Sequence, residues 1–395
     1  MGLTAVVTSI VLGQSLKDPD GSLGPSWFRL PMMVLGAFVI DVVPRSLWRS
    51  RRRLTSFPSQ AKAIIDEHWT RERIALVVIG LVSFYITYVS YRNLKNFLPR
   101  VNPTMHDIAL DHIDKFLMFG STPAVVLHAV LGQDVAAHVL ATVYLLFLPV
   151  SPVSLIVYLV WSRNISWGYW YATAQCLAWM FGTISYYLLP TLGPNFAFPF
   201  RYRDLEPTQV TSLLQSLYNA RMSVIHPGNS DAIQSVAGFA SLHVGIILTL
   251  ALIVQYTVRH VWLRRLMWVY FALTVVSTLY FGWHYISDDI AGAGIAWLSV
   301  WLGAKATGQK FDRHGRASHP TTSTARVPAH ELEDDDLEEG DVTSTTPDSP
   351  SLAPLGHLRV SYLSRLCPGP CVSYPERARG EVRGDLETGW SGSRA

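Results

Sequence analysis

This chain has little charge and almost no cysteine. Charged residues make up 15% of its 395 positions against 49% hydrophobic ones, and they are especially sparse between about residues 74 and 303. Long stretches with so few charges exclude an ordinary soluble domain and read as a polytopic membrane protein. The three cysteines exclude a disulfide framework. Cys176 lies in an apolar stretch, and Cys367-Pro-Gly-Pro-Cys371 is not a recognised metal spacing, nor would two ligands close a site. No basic segment precedes the apolar run Leu3–Leu12, so a cleaved signal peptide is not expected. The net charge of +3 gives no footprint for nucleic acid. No metal and no cofactor is expected.

What is present is apolar sequence edged with aromatics, 13 Trp and 17 Tyr among them, as suits interfacial anchoring. Apolar runs at 74–91, 135–161, 167–189, 238–256, 267–281 and 290–304 predict an all-α polytopic bundle of about six membrane helices. A seventh forms if 30–43, which contains Asp41, also crosses. Residues 1–73 then make an N-terminal segment, 74–304 the transmembrane domain, and 305–395 an acidic, Ser/Thr/Pro-rich tail expected to be disordered. If every span crosses, the basic stretches at 45–73, 163 and 259–265, with Lys305 and Lys310, share one side, which the positive-inside rule makes cytoplasmic.

Two connections stand out. Between 96 and 134, His106, Asp107, Asp111, His112 and Asp114 gather. A metal site is conceivable there, but the pattern reads better as an interfacial helix with acidic residues near its N-terminus. The stretch 190–236 is the longest polar connection and carries Arg201, Arg203 and Arg221. Loops of that length are usually functional or disordered.

The chemistry concentrates in Tyr280-Phe-Gly-Trp-His284-Tyr-Ile-Ser-Asp288-Asp289 and in Gly238-Phe-Ala-Ser241-Leu-His243. On a helix His284 and Asp288 would share a face, with Cβ atoms about 6 Å apart. The carboxylate would then fix the imidazole tautomer. Asp289 would turn away as a cap or solvated charge, and Trp283 and Tyr285 would anchor the interface. By the charge count, His243, His284 and Asp288 all face the non-cytoplasmic side. Two histidines and a carboxylate suit phosphoryl transfer through a covalent intermediate, one imidazole attacking and the other moving protons. His128, His138 and His226 read as ordinary polar residues.

Ser241-Leu-His243 and His284-Tyr-Ile-Ser-Asp288 resemble the second and third signature motifs of the type 2 phosphatidic acid phosphatase superfamily. The form Trp-His-Tyr-x-x-Asp, with Asp114–Pro123 and Pro190–Pro199, looks most similar to the branch containing inositol phosphorylceramide synthases. The resemblance covers about residues 75–303. It implies that His284 is the nucleophile, Asp288 its orienting carboxylate and His243 the general acid/base. It also implies that Ser241 helps hold the phosphate and that the substrate is a lipid phosphate or phospholipid, hydrolysed or transferred to an acceptor. Arg201, Arg203 and Arg221 are candidates for the phosphate clamp by their location alone. The chain departs from the family at Ser277-Thr278, where Ser-Arg is usual, at Ala240, where proline is usual, and at Asn195, where many bacterial relatives have arginine. The family's first motif, a lysine with a distant Arg-Pro, is not recognisable. The competing readings are a transporter lined by polar residues and a family member that binds lipid without turning it over.

Overall fold

The computed structural model describes residues 1–318 other than 20–25, 51–53, 163, 226–235, 237 and 312–314. The readings made for His226, Cys367, Cys371 and the acidic tail lie outside the described residues. Helices account for 79% of the described residues, the all-α class expected. In chain order they are α1 (Gly2–Leu12), α2 (Ser26–Arg49), α3 (Phe57–His68), α4 (Arg71–Val101), α5 (Asp107–Leu117), α6 (Pro123–Leu131) and α7 (Val135–Leu145). Then follow α8 (Phe147–Trp161), α9 (Ile165–Leu188), α10 (Pro194–Ala197), α11 (Gln209–Ile225), α12 (Leu242–Thr257), α13 (Val261–Tyr280) and α14 (Ile286–Ala306). Among the described residues three stretches are long and apolar enough to cross a membrane: Pro31–Arg49, Arg71–Val101 and Val135–Trp161.

Polar side chains start the central helices. Thr70 accepts from the Arg73 amide at 3.2 Å to open α4, and Asn164 accepts from Ser166 at 2.9 Å to open α9. Each satisfies an amide that the first turn leaves without a partner. Arg73, at the end of the basic stretch 45–73, is not exposed. It is buried in the first turn of α4 and donates to the Val160 and Ser162 carbonyls, tying α4 to the end of α8. Asp41 is likewise absorbed inside α2, where it pairs with Arg45 at 2.7 Å and accepts from the Trp69 indole at 3.0 Å.

Three boundaries differ from the sequence reading. α4 does not stop at Tyr91-Arg92-Asn93-Leu94-Lys95 but runs on to Val101. Asn93, Lys95 and Asn96 are buried within the protein, packed among other helices instead of ending this one. The apolar run 135–161 is two helices, α7 and α8, meeting at Leu146. Lys310–Phe311 pairs antiparallel with Ala317–Ser318 in the region expected to be disordered. The Phe311 ring lies 5.4 Å from that of Tyr256 and 5.8 Å from that of Trp170, which gives this segment an apolar seat.

α9 packs along both α4 and α14, and α12 lies against α9, α13 and α14. Trp170 is fully buried at the centre and its indole donates to the Val300 carbonyl at 2.8 Å. The backbones of α12 and α14 meet where both begin. The Ser241 amide donates to the Asp288 carbonyl at 2.9 Å. Gly292 makes that approach possible, because a Cβ there would stand 2.2 Å from the Ser241 carbonyl oxygen. Backbone cannot yield as a flexible side chain can. Gly292→Ala should therefore destabilise the protein by about 1–3 kcal/mol, the usual cost of overpacking. Gly294→Ala meets nothing within 4 Å and should leave thermal unfolding in detergent nearly unchanged.

Candidate active site

α13 ends at Tyr280, and Gly282 turns the chain at φ +65 before α14 starts. His284 therefore precedes the helix instead of sitting in it, and its pairing with Asp288 does not arise from a shared helical face. Asp288 is the third residue of α14 and folds back as a capping carboxylate. Its Oδ2 accepts from the Tyr285 amide at 3.1 Å and stands 3.3 Å from His284 Nδ1. One oxygen closes the helix end and meets the imidazole. With the proton on Nδ1, the carboxylate accepts it and the Nε2 lone pair is available. Burial, with the Lys95 ammonium adding to it, pushes the His284 imidazole down to about 3, while a backbone hydrogen bond with Gly238 works the other way.

The turn is clamped from two sides. Asn195 donates its amide to the Gly282 carbonyl at 2.8 Å and its side-chain NH2 to the Phe281 carbonyl at 3.0 Å. Gly193 lies so close that a Cβ would stand 2.2 Å from the Trp283 carbonyl oxygen. α5 supplies the other clamp. Asp107 accepts from the Leu192 and Gly193 amides and from the Tyr285 hydroxyl, each at 3.0 Å. Asp114 accepts from the Ile286 amide at 3.1 Å, at the start of α14. Asp111 pairs with Lys115 at 2.8 Å and with Arg201 through both of its oxygens. The acidic cluster is thus occupied by amides, a phenol and cations, and it braces the 190–195 loop against the α14 start.

His243 lies one residue into α12, whose cap is Ser241. The Ser241 oxygen accepts from the Val244 amide at 3.4 Å, and its hydroxyl bonds to Asp289. Asp289 is not solvated: it is buried and also accepts from Thr278 at 3.0 Å. The His243 ring is held between Tyr144, stacked at 4.4 Å, and Phe147 at 4.2 Å. Trp283 also stacks on Tyr144, at 5.0 Å, and both Trp283 and Tyr285 are buried instead of standing as interfacial anchors. The two histidine rings have centroids 6.3 Å apart.

Both histidines line a cavity of about 740 Å³, and so do Arg92 and Lys95 of α4. These two cations did not emerge from the sequence reading, because they looked like the polar end of a span. The available signal was their spacing. Leu81, Phe84, Tyr88, Arg92 and Lys95 recur at three or four residues, which puts them on one helix face. The Lys95 ammonium bonds the Tyr91 hydroxyl at 3.1 Å and lies 4.8 Å over the Tyr186 ring. The three loop arginines stand elsewhere. Arg201 is engaged with Asp111, Arg203 is exposed, and Arg221 is buried, donating to the Val236 carbonyl at 3.5 Å. None of the three lines the cavity. His128, as expected, has an ordinary polar role, with Nε2 2.9 Å from the Tyr280 carbonyl.

Two histidines, one of them against a carboxylate, and two cations share one cavity, an arrangement that suits phosphoryl transfer. Residues 108–302 match the PAP2 superfamily. Members of that superfamily are generally phosphatases or phosphotransferases. The matched span holds Ser241, His243, His284 and Asp288, whereas α4 with Arg92 and Lys95 precedes it. No curated protein and no solved structure matches the chain.

The α5 brace carries a pH dependence. Burial raises Asp114 to about 7, against the Ile286 amide and with help from Asp288 and Asp111. A carboxyl raised on folding favours the native state most below its ordinary value of about 4, and that contribution disappears as pH rises through about 7. Asp114→Asn keeps an acceptor for Ile286 but cannot ionise. Between about pH 4 and about pH 7 the melting temperature of the unaltered protein should fall relative to that of Asp114→Asn. Parallel profiles would show that Asp114 does not titrate in this window.

Proposed function

We propose that this chain is an integral-membrane phosphoryl-transfer enzyme that acts on lipid-linked phosphate esters through a phosphohistidine. The observation that carries the reading is the single cavity lined by His243, His284, Arg92 and Lys95. His284 Nε2 attacks phosphorus while Asp288 holds the Nδ1 proton. The ester P–O bond breaks, and the departing oxygen takes its proton from His243. An acceptor O–H then attacks the phosphohistidine, giving its proton to His243 as the P–N bond breaks. With water as acceptor the enzyme is a phosphatase; with an alcohol it transfers the group. The Ser-Leu-His and Trp-His-Tyr-x-x-Asp forms favour a transferase of the inositol phosphorylceramide synthase type.

Lys95 and Arg92 oppose the charge that builds on the phosphoryl oxygens, in surroundings dry enough to make that attraction strong. Ser241 contributes through the α12 start, whose first-turn amides suit an anion. The nucleophile and the proton carrier are both side chains of the protein, so turnover should survive excess chelator.

The membrane topology is part of the proposal. α9, α13 and α14 are 24, 20 and 21 residues long. At 1.5 Å per residue each reaches about 30 Å or more, the thickness of a hydrocarbon core. Adding them and α12 to the three apolar stretches gives a multi-pass chain of seven spans, or six without Pro31–Arg49, with the histidines near the non-cytoplasmic face.

Rapid quench with a labelled lipid phosphate bearing a good leaving group tests the roles. His284→Ala should abolish the phosphoenzyme and nearly all turnover. His243→Ala should still label His284 and then retain the label, since breakdown lacks a base worth ~10²–10⁴-fold. Lys95→Met should lower kcat/KM by about 10²–10³-fold, as loss of one charge-stabilising donor does. Label on His243, or equal label in His284→Ala, would overturn the assignment, and absence of turnover on every lipid phosphate would favour a lipid-binding protein.

A further inference from the structure

The cavity is far longer than a phosphate needs. Its α4 wall runs from Leu81 to Lys95, which at 1.5 Å per residue is about 21 Å along the helix. Over that length its character changes in order. Arg92 and Lys95 stand at one end, tyrosines 85, 88 and 91 follow, and Leu81 and Phe84 lie at the other. Leu148 and Pro152 of α8 add apolar wall, and so do Leu213 and Leu217 of α11, which pack against the cluster that holds Trp283. One bilayer leaflet has a hydrocarbon depth of about 15 Å. The apolar part of this cavity therefore has the length of one acyl chain, and its polar end has the charge of a phosphate group.

The remaining wall comes from α2. Phe28, Met32 and Met33 line the cavity, and α2 packs against α4 and α8. Both α2 and α4 lie outside the segment that matches the PAP2 superfamily. Phe28 and Met32 are one helical turn apart and about half exposed, so the cavity wall there is thin and meets the surroundings of the bundle. Methionine side chains adapt readily to flexible apolar ligands.

We infer that the groove between α2, α4 and α8 is a hydrocarbon-chain site, in which Phe28, Met32 and Met33 contact the distal part of the substrate's acyl or alkyl chain and set the chain length accepted. The site rests on the lipid-phosphate reading of the histidine end. It gives α2 a role in specificity, with no contact to the reacting phosphorus.

The test uses the full chain in lipid nanodiscs and a series of n-alkyl phosphates from butyl to hexadecyl. Met33→Trp and Met32→Trp are compared with the unaltered protein. The ratio of variant to unaltered kcat/KM cancels partitioning of each substrate into the bilayer. It should stay within about twofold for the shortest chains and fall about tenfold or more for the longest. The loss of two buried methylenes, at about fourfold each, accounts for a fall of that size. A ratio that does not depend on chain length overturns the site even though turnover is intact. A second measurement does not require turnover: a lysophosphatidic acid with a diazirine at the end of its chain is photolysed on the protein, and the labelled peptide is mapped. Label in the peptide containing Phe28–Met33, reduced in Met33→Trp, supports the site. Label confined to other helices, or equal labelling of that peptide by a neutral lipid of the same chain, overturns it. If no alkyl phosphate is turned over while the α2 peptide labels, the catalytic reading fails and the chain site stands.

Discussion

One carboxylate oxygen joins the two tasks on which the site depends. Asp288 Oδ2 accepts the Tyr285 amide and meets His284 Nδ1. The first is a helix cap; the second orients the His284 imidazole. A cap fixes its side chain because it satisfies an amide that burial would otherwise leave unpaired. The imidazole inherits that rigidity. The arrangement also ties the site to the packing of the bundle, because the backbone carbonyl of the same residue receives the Ser241 amide. Ser241 caps the helix that carries His243. The distance between the histidines is thereby set by backbone contacts between two helix starts, with Gly292 keeping them close.

Around that junction the protein uses carboxylates as braces. Asp107, Asp111 and Asp114 lie along one side of α5 at spacings of four and three residues, and each holds a different partner. Burial raises Asp107, against the two amides and the phenol that it accepts from, whereas Arg201 and Lys115 overcome burial to hold Asp111 below the usual carboxylate range. Asp107 accepts the Leu192 and Gly193 amides of the 190–195 loop. The loop gains its position from these bonds and from Asn195.

Lys95 poses the opposite problem, a cation taken out of water. Such a charge is costly unless it is compensated. The rings of Tyr91 and Tyr186 lie under its ammonium at 5.4 and 4.8 Å, and the Tyr91 hydroxyl is a neighbour. Aromatic faces attract a cation without neutralising it. The field of Lys95 also helps keep His284 unprotonated.

The sequence by itself determined the helical class, the position of most apolar helices and the two histidine motifs, because hydropathy and short motifs are local properties. It misplaced the end of α4, the break at Leu146 and the environment of Asp289. For two of these the partner lies outside the local stretch: Tyr186 for Lys95, Thr278 and Ser241 for Asp289. It drew His284 and Asp288 together for a reason that does not operate here, a helical face in place of a cap. Only the tertiary structure decided which cations share the histidine cavity. A charge at a helix end looks the same in sequence whether it faces solvent, a carboxylate or a cavity. Arg201 met Asp111 across about ninety residues, while Arg92 and Lys95 reached the histidines because α4 packs beside α9.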